Sequence, residues 1–368
     1  MSTLATNTIT DASGGNTTTI NGYTPTESNM AGRNRIINGD MRIDQRNAGA
    51  SVTPANGNYT LDRWKATSTA SSKYSVQQST DAPVGFVNSC LITSLSAYSV
   101  SSSDYFLYQQ RIEGYNIADL GWGTANAETV TLSFWVKSSL TGVFGGSLFG
   151  GSGGSFYSYP FSYTISSANT WTQISITMTG STAGTWGKTN ETGITIYLGL
   201  GVGSTYSGTA GAWTAGSFFT VTGATSVVGT SGATFYITGV QLEVGSVATP
   251  FERRLYGQEL ALCQRYFVRF NATTTNNNRI VTGLADTTSR IRTSISMPVE
   301  LRATPSANAV NLNLLPTGVG VTSVSGLDSS SLSVISPIVN TSASLTAGVV
   351  YQAANNGSNG YLDISSEL

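Results

Sequence analysis

The chain has 368 residues, a net charge of −1, 10% charged residues and no histidine, while 41 residues are glycine. Length alone predicts two or three domains, and 39% apolar residues suffice for packed cores, so a disordered chain is excluded. Without histidine there is no Ser-His-Asp or Cys-His catalysis and no His-ligated metal; the near-zero charge argues against nucleic-acid binding.

Residues 1–33 are polar, rich in Thr and Asn and without periodicity, and read as an arm ordered by a partner. The start has neither a basic nor an apolar stretch of a secretory signal, and no run of 18 apolar residues suggests membrane insertion. Arg33–Asn47 is the first organised piece and carries four of the 18 basic residues. Trp64 reads as core, with Asp62 and Arg63 a structural pair. Cys90 and Cys263 lie far apart and read as two buried thiols.

From Tyr59 to Val244 short strand signals recur. In Thr129–Lys137 the residues Val130, Leu132, Phe134 and Val136 share one face. In Trp171–Met178, Ile174, Ile176 and Met178 do the same, as do Ile194, Ile196, Leu198 and Leu200 in Gly193–Gly201. Period two over so many segments predicts half-buried strands of a β-sandwich or jelly roll. Gly145–Ser155 reads as a flexible loop, and it lacks the Gly-Lys-Ser/Thr ending of a phosphate loop.

Next comes the stretch Val240–Phe267, which gathers acids and arginines. Leu255–Phe267 is the expected helix, preceded by Pro250. Beyond it, Ile291, Thr293, Ile295 and Met297 alternate in a second β region. Eight of the 18 basic residues fall between Arg253 and Arg302, and none follows Ala303. The expected fold class is therefore all-β: a jelly-roll β-sandwich, one short helix and a smaller C-terminal β domain. The expected divisions are an attachment arm at 1–33, a sandwich at 34–252, a helical junction at 253–270 and the β domain at 271–368.

Several blocks carry a resemblance: "GRNRIINGDMRIDQRNAGASVT", "YTLDRW", "VTLSFWVKSSLTG", "GVQLEVGSVATPFERRLYGQELALCQRYF" and the closing "GYLDISSEL". Together they resemble a family of bacteriophage virion proteins described as tail-fibre or receptor-binding proteins. The resemblance covers Gly32 to about Tyr266 well and the C-terminal region loosely. It implies a carbohydrate-binding-module-like jelly roll and assembly into fibres as homotrimers, with no catalytic residues to carry over. The implied partners are other virion proteins, through the N-terminal arm, and a host surface glycan; the implied location is the virion. A purely structural capsid or neck appendage is the rival reading, and a glycan-depolymerising tailspike ranks behind both.

Sugar binding would use aromatic rings, which offer flat apolar faces to C–H groups, beside hydroxyl and amide donors. By alternation Trp135, Trp171 and Tyr197 fall opposite the aliphatic faces of their strands. Tyr157, Tyr159, Trp186, Tyr206 and Trp213 lie in Gly/Ser/Thr-rich stretches and form a second, loop-borne set. Glu243, Glu252, Arg253 and Arg254 read as structural charges of the junction. Glu113, Asp119, Glu128 and Glu191 form no recognisable hydrolytic pair, so an enzyme is not expected, nor any cofactor or metal.

Overall fold

The structure, a computed structural model, describes residues 32–271, 279–327, 331–342, 345–356 and 360–368. The attachment arm expected at 1–33 therefore lies outside the described residues except for Gly32 and Arg33. The described chain is all-β: a jelly-roll sandwich, one short α-helix and a smaller C-terminal β unit. Two compact units separate. One takes the described residues to Arg42 with Gly49–Arg253, the other Ile43–Ala48 with Arg254–Leu368.

The sandwich unit has two large sheets. The six-stranded one runs β1 (Trp64–Ser68), β4 (Tyr105–Glu113), β9 (Thr192–Val202), β6 (Gly142–Gly150), β7 (Tyr157–Ile165) and β11 (Thr214–Ala215). The five-stranded one runs β2 (Tyr74–Ser79), β3 (Ser89–Ser94), β13 (Thr234–Val244), β5 (Val130–Ser138) and β8 (Thr172–Met178). A short parallel pair, β10 (Ser207–Gly208) and β12 (Thr220–Val221), completes it. Alternation works as the sequence predicts: Val130, Leu132, Phe134 and Val136 of β5 and Ile194, Ile196, Leu198 and Leu200 of β9 all enter one core. Trp64 is fully buried there and stacks on Tyr108.

One expectation fails. Gly145–Gly150 is strand, not loop. The glycines are needed because a side chain has nowhere to go: a Cβ on Gly146 would meet the Tyr197 carbonyl oxygen at 2.2 Å, and one on Gly150 would meet the Trp186 ring at 2.4 Å. A run that reads as flexible is thus a tightly packed central strand; only Gly151–Ser155 forms the connection to β7.

In the second unit, α1 (Tyr256–Gln264) is shorter than the predicted Leu255–Phe267. Leu255 is its extended N-cap, and Gln258 reaches back to accept the Leu255 N–H at 3.1 Å, half of a capping box. The helix buries Glu259 and Cys263 rather than Leu255, and Phe267 already begins a strand. That strand, β14 (Phe267–Asn271), pairs with β24 (Tyr361–Ser365), which pairs with β18 (Ser306–Val310).

A closed barrel follows in the order β15 (Arg279–Thr287), β16 (Arg290–Thr293), β22 (Pro337–Thr341), β20 (Val319–Leu327), β19 (Leu312–Leu315) and β23 (Val350–Asn355). The pair β17 (Ile295–Ser296) and β21 (Val334–Ile335) stands beside it. Ile291, Thr293, Ile295 and Met297 are all buried, as their alternation predicts. Ile43–Ala48 belongs to this unit through side chains. Arg46 bonds Glu367 at 3.1 Å and lies 3.5 Å over the Phe267 ring, while Gln45 donates to the Phe267 carbonyl at 3.0 Å.

Candidate functional site

Because the aliphatic residues of β9 and β6 point into the sandwich, Tyr197, Thr195 and Phe149 must point out of it. The register sets Gln109 and Ser147 on either side of Tyr197, and Arg111 and Phe149 on either side of Thr195. The chain from Ser204 to Val221 then folds back across this outer face. It can lie flat because the sheet offers glycine beneath it: a Cβ on Gly145 or Gly199 would meet Thr220 Oγ1 at 2.5 or 3.0 Å.

The result is a bank of six rings. Tyr206 stacks on Phe219 at 5.0 Å and 14°, and Phe219 meets Tyr197 at 4.8 Å and Tyr105 at 5.5 Å. Phe149 lies 5.5 Å from Tyr197 and stacks on Phe156 at 5.2 Å. Tyr105, Phe149, Tyr206 and Phe219 are half-buried and Phe156 is exposed, so the bank has a solvent side.

Polar groups border the rings. Gln109 is buried; its amide donates to Thr67 Oγ1 at 2.9 Å, and its Oε1 has no partner. Arg111 pairs with no carboxylate among the described residues. Burial pushes the Tyr197 hydroxyl up to about 12, with the Arg111 charge opposing that rise and Tyr105 adding to it. Hence guanidinium and two phenols are electrostatic neighbours at the edge of the ring bank.

The outer face of the five-stranded sheet is built differently. Trp135 and Lys137 point out from β5, Tyr236 from β13, and Trp171 stands just before β8. Toward the other end of β13, the chain returns as a strap over residues 245–253 and buries a polar network. Glu243 accepts from Gln241 Nε2 (2.8 Å), Thr249 N–H (2.8 Å) and Thr249 Oγ1 (2.6 Å). Gln241 Oε1 accepts the Glu252 N–H at 2.8 Å, and Glu252 in turn accepts the Asn34 N–H at 2.6 Å. Arg253 lies 4.7 Å over Phe86. In the second unit Arg254 reaches the buried Glu259 at 3.4 Å. The unusual concentration of charge in this block is therefore spent on closing loops onto strands.

The residues singled out from sequence do not form one site. Trp135 and Trp171 lie on one sheet and Tyr197 on the other, so they share no face. Tyr157 and Tyr159 are strand residues of β7, not loop residues. Trp186 is 4% exposed and Tyr159 is buried. Trp122, Trp186 and Trp213 pack edge to face at 5.0, 5.1 and 5.3 Å, with Tyr159 5.4 Å from Trp213. Each indole N–H of the three donates to a backbone carbonyl, of Glu128, Ala183 and Thr179 respectively. Such a ring triad seals one part of the core; the buried Trp186 is removed from the candidates, while Trp213 stays half-buried at the rim. Of the loop set only Tyr206 joins the ring bank. Sequence reasoning passed over Tyr105, Phe149, Phe156, Phe219 and Tyr236, though alternation in β6 does place Phe149 opposite Phe144 and Leu148.

The unit holding the barrel has an open groove of about 480 Å³, lined by Thr282, Leu284, Arg292, Ser294, Ser336 and Val350. Among the described residues no cluster of His, Cys, Asp or Glu could hold a metal ion, and no helix is long and apolar enough to cross a membrane.

No protein-family model matches this chain, and no curated protein does. Solved structures overlap it in part. The enzymatically active domain of tailspike protein 4 from bacteriophage CBA120 is 13% identical over 50% of this chain and 19% of its own length, with a TM-score of 0.31. A family 11 carbohydrate-binding module from Clostridium thermocellum, in complex with a mixed-linked tetrasaccharide, is 10% identical over 54% of this chain and 98% of its own, at 0.28. A xylan-binding domain from Paenibacillus barcinonensis is 10% identical over 55% and 99%, also at 0.28.

Proposed function

We propose that this chain is a non-enzymatic phage virion protein, a tail fibre whose sandwich unit binds host surface glycan on the outer face of its six-stranded sheet. The observation that carries the site is the bank of six rings with a solvent side, bordered by Arg111. Rings give sugar C–H groups an apolar surface, and fixed donors and acceptors orient the hydroxyls. The sequence resemblance to phage fibre proteins supports the virion location and a homotrimer. Three copies on one fibre convert weak single contacts into firm attachment.

Two experiments test the reading. The full chain is applied to an array of bacterial surface polysaccharides, beside an R111Q/Y105F double variant. At least one polysaccharide should bind the parent, and the variant should bind it at least about tenfold more weakly, roughly 1.4 kcal/mol. Equal binding by both proteins would move the site elsewhere. Immunogold labelling of intact particles with antibody against residues 271–368 tests the location: label at fibre tips supports adsorption, whereas label spread over the head makes this chain a capsid appendage.

A further inference from the structure

The five-stranded sheet carries a second arrangement that the ring bank does not use. Asp81 follows β2 and is fixed at its backbone: its N–H donates to Ser79 Oγ at 3.1 Å and its carbonyl accepts from Ser89 Oγ at 2.6 Å. Its carboxylate meets Lys137 of β5 and Trp171, which stands just before β8. There Oδ2 takes the Lys137 ammonium and Oδ1 takes the Trp171 indole N–H at 3.2 Å. The Lys137 side chain is only 11% exposed, while that of Asp81 is 47% exposed. Two rings form a corner round the ammonium: Trp171 and Tyr236 stand 6.0 Å apart at 69°, with Nζ 5.2 and 4.3 Å from their centres. Gln173, next but one along the edge strand β8, is exposed beside them.

This geometry is more than an ion pair that ties a loop down. A surface pair gives about 0–1 kcal/mol and needs neither a buried lysine nor two rings. Here the cation lies beneath the rings and the anion faces solvent. A carboxylate has roughly four lone-pair positions, and two of them are occupied by Lys137 and Trp171. The other two are uncommitted, and the side chain is 47% exposed. Lysine and aspartate cancel in charge, so the patch attracts neither anions nor cations. The hydrogen bond from Lys137, supplemented by that from Trp171, holds Asp81 below the usual carboxylate range, which keeps it an acceptor in mildly acidic surroundings.

We propose that Asp81, Trp171 and Tyr236 form a second sugar site, for a neutral pyranose presenting two adjacent hydroxyl groups. The diol donates to Asp81, the C–H face of the sugar lies against the half-buried Trp171 and Tyr236 rings on the side away from Lys137, and Gln173 borders the exit. This site does not depend on the ring bank of the other sheet.

Fluorine NMR of the full chain, labelled with fluorotryptophan, tests it. The chain has six tryptophans, and a W171F variant assigns the resonance of Trp171. Methyl α-D-mannopyranoside and methyl β-D-galactopyranoside are titrated separately, with tetrahydropyran-methanol as a probe of similar shape lacking the diol. One of the two glycosides should move the Trp171 signal with a Kd on the order of 1–10 mM, as single-sugar contacts allow. Tetrahydropyran-methanol should leave it in place, and D81N should weaken the glycoside at least about tenfold with the Trp122 and Trp186 signals unmoved. If neither glycoside moves the signal up to about 100 mM, or the diol-free probe moves it equally, the proposal is overturned. These titrations use wild-type protein, so they decide the question even if D81N folds poorly. The Trp171 signal reports this site alone, so a silent Trp171 signal beside unchanged polysaccharide binding on the array overturns this site and leaves the ring-bank reading standing.

Discussion

Replacing Trp186 by alanine discriminates between a structural and a sugar-binding tryptophan. The side chain is 4% exposed, contacts Trp122 and Trp213 edge to face, and covers Gly150 so closely that a methyl there would collide with its ring. Trp-to-Ala changes in cores cost about 3–5 kcal/mol, and edge-to-face pairs add about 0.5–1.5 kcal/mol each beyond buried area. Two such pairs and a carbonyl of Ala183 left without its indole donor place W186A at the upper end, about 4–5 kcal/mol. For a unit of this size that is a fall in Tm of about 8–20 °C. Differential scanning calorimetry of the full chain measures it, with half-buried Tyr206→Ala as comparison and a much smaller fall expected there. A Tm within about 3 °C of the parent, combined with lost glycan binding, would refute the argument and return Trp186 to the binding residues.

Other outcomes follow from the same contacts. Glu243→Ala should cost about 3–5 kcal/mol, since it strips three donors of a buried acceptor, whereas Glu243→Gln should cost about 1–2 kcal/mol; urea unfolding of the sandwich transition checks both. Asp286 is held at about 2 by hydrogen bonds from Arg290 and Arg292, against 3.8 ordinarily. Its folded value is depressed, so its stabilising contribution is complete above about pH 4 and is lost as the pH falls toward 2. Carboxyl-carbon NMR should place its midpoint near 2, and a midpoint near 3.8 would remove the Arg clamp. Cys90 and Cys263, both fully buried, should resist a thiol reagent in native protein and react at once in denaturant.

Much of this fold is written in period-two alternation, and the reason is physical. A strand of a sandwich turns one face to the core and keeps its apolar residues there, so β5, β8 and β9 announce their core sides residue by residue. Alternation fails where composition misleads. Gly145–Ser155 resembles a linker because partners of its strand part, the Tyr197 carbonyl at Gly146 and Trp186 at Gly150, come from distant parts of the chain and leave no local trace. Trp186 and Trp213 look like exposed loop aromatics for the same reason: what covers them is Trp122, over 60 residues away in the sequence. The ring bank was half legible. Tyr197 could be placed outward by counting, but Tyr206 and Phe219 join it only because Ser204–Val221 folds back over the sheet, and that path depends on glycines in β6 and β9.

The scarcity of charge also fixes how binding should respond to salt. The carboxylates of Glu243 and Glu252 are bound up in the strap, and Lys137 and Asp81 neutralise each other. Contacts left for a ligand at the two proposed sites are therefore rings, amides, hydroxyls, the Arg111 guanidinium and the Lys137-neutralised Asp81 carboxylate. At 0.5 M salt the screening length drops to roughly 4 Å, which removes long-range attraction but leaves direct hydrogen bonds and stacking nearly intact. Glycan binding by the full chain should accordingly change less than about threefold between 0.05 and 0.5 M sodium chloride, as surface plasmon resonance on immobilised polysaccharide would record. A loss of tenfold or more would mean that Arg111 acts on an anionic group at a distance, and the ring bank would then be a steering surface rather than the place where sugar rests.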